Sequence, residues 1–161
     1  TSFPKLEELV GLEMLAREEG SGIKFGSLKG LWKFVSVWKK GTDQEDLMSS
    51  FLLRLFSASL ELSEKKTSED QPEFNITNFI QSGPLSILFI GSGQLIGSQP
   101  LLSFFFERIE LRLGDNVVLS RSLAIPDEKN RPFFALIAME NNGQWFSARG
   151  RGGGLALWTK V

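Results

Sequence analysis

The chain contains no cysteine, no histidine and no tyrosine. Without cysteine there is no disulfide, thiolate nucleophile, iron–sulfur cluster or Cys-ligated zinc, and a secreted, disulfide-stapled module is disfavoured. Without histidine the commonest general base at neutral pH and the commonest transition-metal ligand are both missing. Hydrolases of the Ser-His-Asp or Cys-His type are therefore excluded. Charge of one sign is also scarce: 18 Lys and Arg against 19 Asp and Glu leave a net −1, which gives no general attraction for nucleic acid or an anionic membrane. Long apolar runs are lacking as well. The longest, residues 101–106, has strand length and contains Ser103, far short of the roughly 18 residues of a membrane-spanning helix. No signal peptide is visible, and Thr1 stands where a start Met would, which fits a trimmed chain.

What is present is apolar and aromatic. The 161 residues suit one domain, able to bury roughly two thirds of the unfolded surface. Hydrophobic residues make up 42%, with 14 Phe and 4 Trp, and phenylalanine has no polar tip, so these rings favour a dry interior. Leu6, Leu9, Val10 and Met14 share one side of an acidic helix over residues 4–19, started by Pro4 and ended by Gly20-Ser21-Gly22. This stripe is expected to pack on the outside or base of the remaining fold, with a partner-binding helix as the alternative.

From Gly30 the period changes to two. Trp32, Phe34, Ser36 and Trp38 alternate with Leu31, Lys33, Val35 and Val37 in a strand with apolar groups on both faces. Thr42 and Glu45 have capping-box spacing, and Leu47, Met48, Phe51, Leu52 and Leu55 continue at helical spacing, so a short helix is expected after this strand. Further strands are expected over residues 56–63, 74–80, 85–90, 101–106, 107–113, 117–123, 133–139, 144–149 and 155–158. Gly91-Ser92-Gly93, residues 97–100, Gly114-Asp115-Asn116 and Asn141-Asn142-Gly143 read as turns, and residues 64–72 as an exposed loop. Ile109, Leu111 and Leu113 against Arg108, Glu110 and Arg112 form the cleanest apolar-in, polar-out alternation. The fold class expected is mainly β: an antiparallel β-barrel with an N-terminal helix (1–22) and a short helix after the first strand, residues 28–161 forming the barrel of a single domain 1–161.

Few motifs carry chemistry. The glycines at 91, 93 and 97 do not match the dinucleotide fingerprint and precede no helix. Arg149 and Arg151, in a glycine-rich stretch before the last strand, have two readings. One is a guanidinium stacked on Trp32 where first and last strands meet; the other is a phosphate contact, for which two arginines are a small footprint. Glu107 and Glu110 lie three apart on a strand and so face opposite ways, which rules out a local acid/base pair. No catalytic or metal-binding constellation emerges, and no cofactor is expected.

Gly30-Leu31-Trp32 resembles the opening motif of lipocalin-type barrels. Taken with Leu28-Lys29-Gly30-Leu31-Trp32 leading into Phe34-Val35-Ser36-Val37-Trp38, then Phe74-Asn75-Ile76-Thr77-Asn78, then Ala148-Arg149-Gly150-Arg151-Gly152, the chain resembles the plastid-lipid-associated (fibrillin) family. The resemblance implies a lipocalin-like barrel in the chloroplast, at thylakoids or plastoglobules or in the stroma, that binds or organises prenyl-type lipids. Peripheral membrane association and contact with a thylakoid protein complex would go with it. The expected function is non-enzymatic binding of an apolar molecule such as a quinone, carotenoid, chlorophyll-type or acyl lipid. The alternative is a solidly packed barrel that docks on photosynthetic complexes through the acidic helix and the 64–73 loop. A lyase or isomerase acting on a bound pigment is a third option. Candidate ligand-binding residues are Trp32, Phe34, Trp38, Phe74, Ile87, Phe89, Phe104 and Phe106 as apolar lining, with Ser36, Asn78 and Arg149 as polar groups that set orientation.

Overall fold

The structure, a computed structural model, describes residues 2–38, 59–65 and 73–161. Helix α1 (Leu6–Glu19) begins where the Glu8 carboxylate accepts the Lys5 N–H at 3.0 Å, and ends at Gly20, whose φ of 84° favours glycine. A single helical turn, α2 (Phe25–Leu28), precedes the strands. These are β1 (Gly30–Trp38), β2 (Ser59–Glu64), β3 (Glu73–Ser82), β4 (Leu85–Ile96), β5 (Leu101–Leu113), β6 (Asn116–Ser122), β7 (Phe133–Met139), β8 (Trp145–Gly150) and β9 (Leu155–Lys160). The short helix expected between residues 42 and 55 lies outside the described residues, as does most of the 64–72 loop.

All pairings are antiparallel. Neighbours run β4-β3-β2-β1-β9-β8-β7-β5, and β4 also pairs β5, so eight strands close on themselves and the expected mainly-β barrel is what forms. Strand β6 stays outside the ring as the second arm of a hairpin on β5. The closing contact between first and last strands runs from Trp32 opposite Lys160 to Trp38 opposite Leu155.

The apolar residues sort into two layers. Inside the barrel lie Trp32, Leu60, Leu62, Phe74, Ile76, Leu102, Phe104, Phe134, Leu136, Phe146, Ala148, Ala156 and Trp158, with Leu28 and Ile23 closing one end. Outside, α1 presses Leu9 and Leu12 on Ile137, Trp145, Leu155, Leu157, Val35 and Trp38. The helix is turned differently from the expected stripe. Leu9, Glu13 and Ala16 are buried, whereas Leu6, Val10 and Met14 are exposed. The cause is Glu13: its carboxylate takes the Arg149 guanidinium on β8 in a two-pronged ion pair, with Nη2 to Oε1 at 2.9 Å and Nε to Oε2, and that contact sets the rotation of the helix.

Two expected boundaries are corrected. Gly91-Ser92-Gly93 is not a turn; β4 runs straight through it for 12 residues. A Cβ on Gly91 would lie 1.8 Å from the Phe105 carbonyl oxygen, and one on Gly93 would lie 2.7 Å from Phe74 Cζ, so these glycines admit close neighbours. Residues 101–113 form one strand, not two, with a register shift between Ile90 and Gly91 that leaves Glu107 as the extra residue of a bulge.

Candidate functional site

The two ends of the barrel differ. At the end marked by α2, Trp32 is fully buried and its Nε1 donates to the Leu28 carbonyl at 2.8 Å. Phe146 meets Trp32 edge-on at 4.7 Å and stacks on Trp158 at 4.7 Å, Phe104 stacks on Phe134 at 5.7 Å, and Phe25 stacks on Phe74 at 5.2 Å. The interior at this end is filled by rings, and outside them Ile23, Gly26, Ser27, Met139 and Lys160 help line a cleft of about 400 Å³. The cation over Trp32 is Lys160, with Nζ 5.2 Å from the ring, not an arginine. Arg149 points outward to Glu13 and Gly153, and Arg151 donates to the Arg131 carbonyl, so the expected arginine stack is replaced by a lysine one. The reason is parity: Phe146 and Ala148 face inward along β8, which turns Arg149 outward.

Toward the other end, where the β3–β4 and β5–β6 hairpins project, the inner wall loosens. Phe34, Val37, Phe89 and Phe106 pack against the core but are only half-buried, and Phe89 and Phe106 tilt against each other at 5.7 Å. Asn78 marks the boundary. Along the inward positions of β3, Phe74, Ile76 and Asn78 are 0% exposed and Ile80 is 39% exposed. Neither Nδ2 nor Oδ1 of Asn78 has a hydrogen-bond partner among the described residues, and Trp158 Nε1 on the same inner wall has none. A buried amide left unpaired in this way costs about 1–3 kcal/mol, which a ligand able to donate and accept would recover.

Six of the expected lining residues thus come together in or against the inner core: Trp32, Phe34, Phe74, Phe89, Phe104 and Phe106. Trp32, Phe74 and Phe104 belong to the filled end, and Phe34, Phe89 and Phe106 to the looser one. Ile87 lies across from Ile80, two residues along β4 from Phe89 and therefore on the same wall. Trp38 is corrected to the outer face, beneath α1. A register shift between Phe34 and Ser36 makes Val35 a bulge residue, and past it the inward position passes from even to odd numbers, to Val37. The same shift sets Ser36 across from Leu157, an outer-layer residue; its side chain lies outside the described set. Val37 and Trp158 were not among the expected site residues. Ile109 and Leu111 lie on the same wall, opposite Phe89 and Ile87, and their alternation in the sequence could have added these two to the expected site.

Among the described residues, no cluster of three or more metal-ligating side chains occurs and no helix is long and apolar enough to cross a membrane. Among the described residues two glutamates are buried, Glu13 and Glu110, and both are ion-paired to arginine, Glu110 with Arg108 at 3.1 Å and Arg112 at 2.7 Å. No protein family, curated protein or solved structure matches the chain.

Proposed function

We propose that this barrel binds an apolar molecule at its looser end and catalyses no reaction on it. The observation that carries the reading is the unpaired Asn78 amide, set where fully buried rings give way to half-buried Phe34, Val37, Phe89 and Phe106. Burial of a ligand against these rings contributes roughly 25 cal/mol per Å² before ordering costs. The outward, arginine-paired setting of Glu13 supports a non-catalytic role, as does that of Glu110 opposite Leu88 on the outer parity of β4.

The resemblance to plastid-lipid-associated proteins supports a plastid setting and a prenyl lipid, quinone, carotenoid or related cargo. Native mass spectrometry with organic extraction, on protein purified from plastids, tests this. A stoichiometric lipid or pigment is the expected result. Repeated ligand-free spectra, with no uptake of offered lipids, would overturn it and favour the second reading. That reading is docking on a thylakoid protein complex, and it draws support from the ring-filled end of the barrel and from the exposed Phe3, Leu6, Val10 and Met14 at α1.

A further inference from the structure

The inner wall does not stop where the barrel does. Among the described residues, β3, β4 and β5 continue past the ring, β6 lies along β5, and the two hairpins meet where the Gly114 N–H donates to the Pro84 carbonyl at 2.7 Å. Across these four strands Ile80 faces Ile87, Ile87 faces Leu111, and Leu111 faces Leu119, in one unbroken row. The next row out holds Leu85 opposite Leu113. Ile80, Leu85, Leu113 and Leu119 are between 39% and 54% exposed. The row inward of it runs Asn78, Phe89, Ile109. Directly opposed side chains on an antiparallel pair share a face, so all these residues form one surface. An apolar apron therefore leads without a step from open solvent to a buried, unpaired amide. From Asn78 to Ser82 it extends about 13 Å along β3, at about 3.3 Å per residue.

Resting on the binding reading above, the geometry points to the class and orientation of the ligand: we infer a single-chain amphiphile with a neutral hydroxyl or carbonyl head, bound head-in at Asn78 with its apolar tail lying out over the apron. A pure hydrocarbon would leave the amide unpaired. A head that both accepts from Nδ2 and donates to Oδ1, or a carbonyl that accepts only, relieves it. A carboxylate is disfavoured because Asn78 carries no charge and its neighbours on either strand, Leu60 and Phe89, are apolar, so desolvation would go uncompensated. The cations of that row stand three positions away on either side, Arg121 beyond Phe89 and Ile109 and exposed, and Lys160 beyond Leu60 and Trp32 with its Nζ over the Trp32 ring. The tail is placed outside because the interior beyond Asn78 is already filled by Ile76, Phe74 and Phe104.

Four probes delivered from cyclodextrin to the whole protein, with occupancy read by native mass spectrometry, test this: octadecanol, octadecane, octadecanoate and hexanol. The wild type should bind octadecanol about tenfold tighter than octadecane, the equivalent of one good hydrogen bond, and tighter than octadecanoate. Asn78→Leu, which fills the site with an isosteric apolar group, should erase the preference over octadecane and leave octadecane bound. Leu119→Asp, at an exposed position that cannot disturb the core, should weaken octadecanol severalfold and leave hexanol unchanged. Equal binding of octadecanol and octadecane by the wild type would overturn the head-in orientation while leaving the container reading standing. Tightest binding of octadecanoate would overturn the neutral head. Binding of none of the four would overturn both readings together.

Discussion

Glu13 and Arg149 stand 136 residues apart and meet in a two-pronged ion pair between helix and barrel, with Arg149 Nη1 also donating to the Gly153 carbonyl at 2.7 Å. Only 8% of the Glu13 side chain and 17% of the Arg149 side chain are exposed, so neither charge keeps its water. Removing Arg149 leaves the buried Glu13 carboxylate with the longer contact to the exposed Arg17, 3.8 Å away. Arg149→Leu should lower stability in urea unfolding by about 3 kcal/mol, and the Glu13→Leu/Arg149→Leu pair should recover most of that loss. A double variant no more stable than the single one would show that the pair does not act as a unit. Neither residue announces this role in the sequence. Arg149 sits in a glycine-rich stretch whose obvious reading is a ring stack or an anion contact, and Glu13 is one of five glutamates in a helix. At the filled end of the barrel Lys29 Nζ hydrogen-bonds Glu64 at 2.8 Å and holds that carboxyl below its ordinary value. A depressed carboxyl stabilises the fold above its unfolded value and loses that contribution as pH falls through the folded one. In a carbon-13 NMR titration Lys29→Ala should therefore move the Glu64 midpoint up; an unmoved midpoint would remove Lys29 as the cause.

At the scale of the element, the period of the strands is legible in the sequence and its interruptions are not. Ile109, Leu111 and Leu113 do face the apolar side, and Trp32 and Phe34 do face inward, as simple alternation requires. A bulge adds one residue and exchanges the faces beyond it, and nothing in Val35, Glu107 or Ile137 marks them as bulge residues. Trp38 was misplaced for that reason alone. Glycine in a strand is equally ambiguous, since the same residue serves a turn and a close approach. The structure separates the two by space. Gly91→Ala would drive a methyl into the Phe105 carbonyl and should destabilise by about 3 kcal/mol or more, or prevent folding. Gly11→Ala, in the middle of α1 with nothing within 4 Å of the added carbon, should stabilise by about 0.5–1 kcal/mol. Thermal or urea unfolding of the two variants checks both signs, and a tolerated Gly91→Ala would contradict the close approach of β4 and β5.

For the whole molecule, closure between β1 and β9 joins Trp32 to Lys160 across nearly the full chain, and α1 then clamps the outside of that seam. Such pairings have high sequence separation, so loop-closure entropy opposes them until late, and slow folding is expected for this topology. Closure also explains why the barrel is filled at one end and loose at the other. The α2 turn, Trp32 and Phe25 plug the first, whereas the hairpins of β3–β4 and β5–β6 carry the sheet beyond the ring at the second. On the proposed reading a ligand binds at the loose end, against Phe34, Val37, Phe89 and Phe106. Methyl NMR on isoleucine-labelled protein, titrated with a lipid extract of plastids, tests it directly. The methyls of Ile80, Ile87 and Ile109 should shift, while those of Ile137, beneath α1, and Ile125, on the outer surface, stay in place. Shifts confined to Ile137 and Ile125, or none at all, would contradict the account.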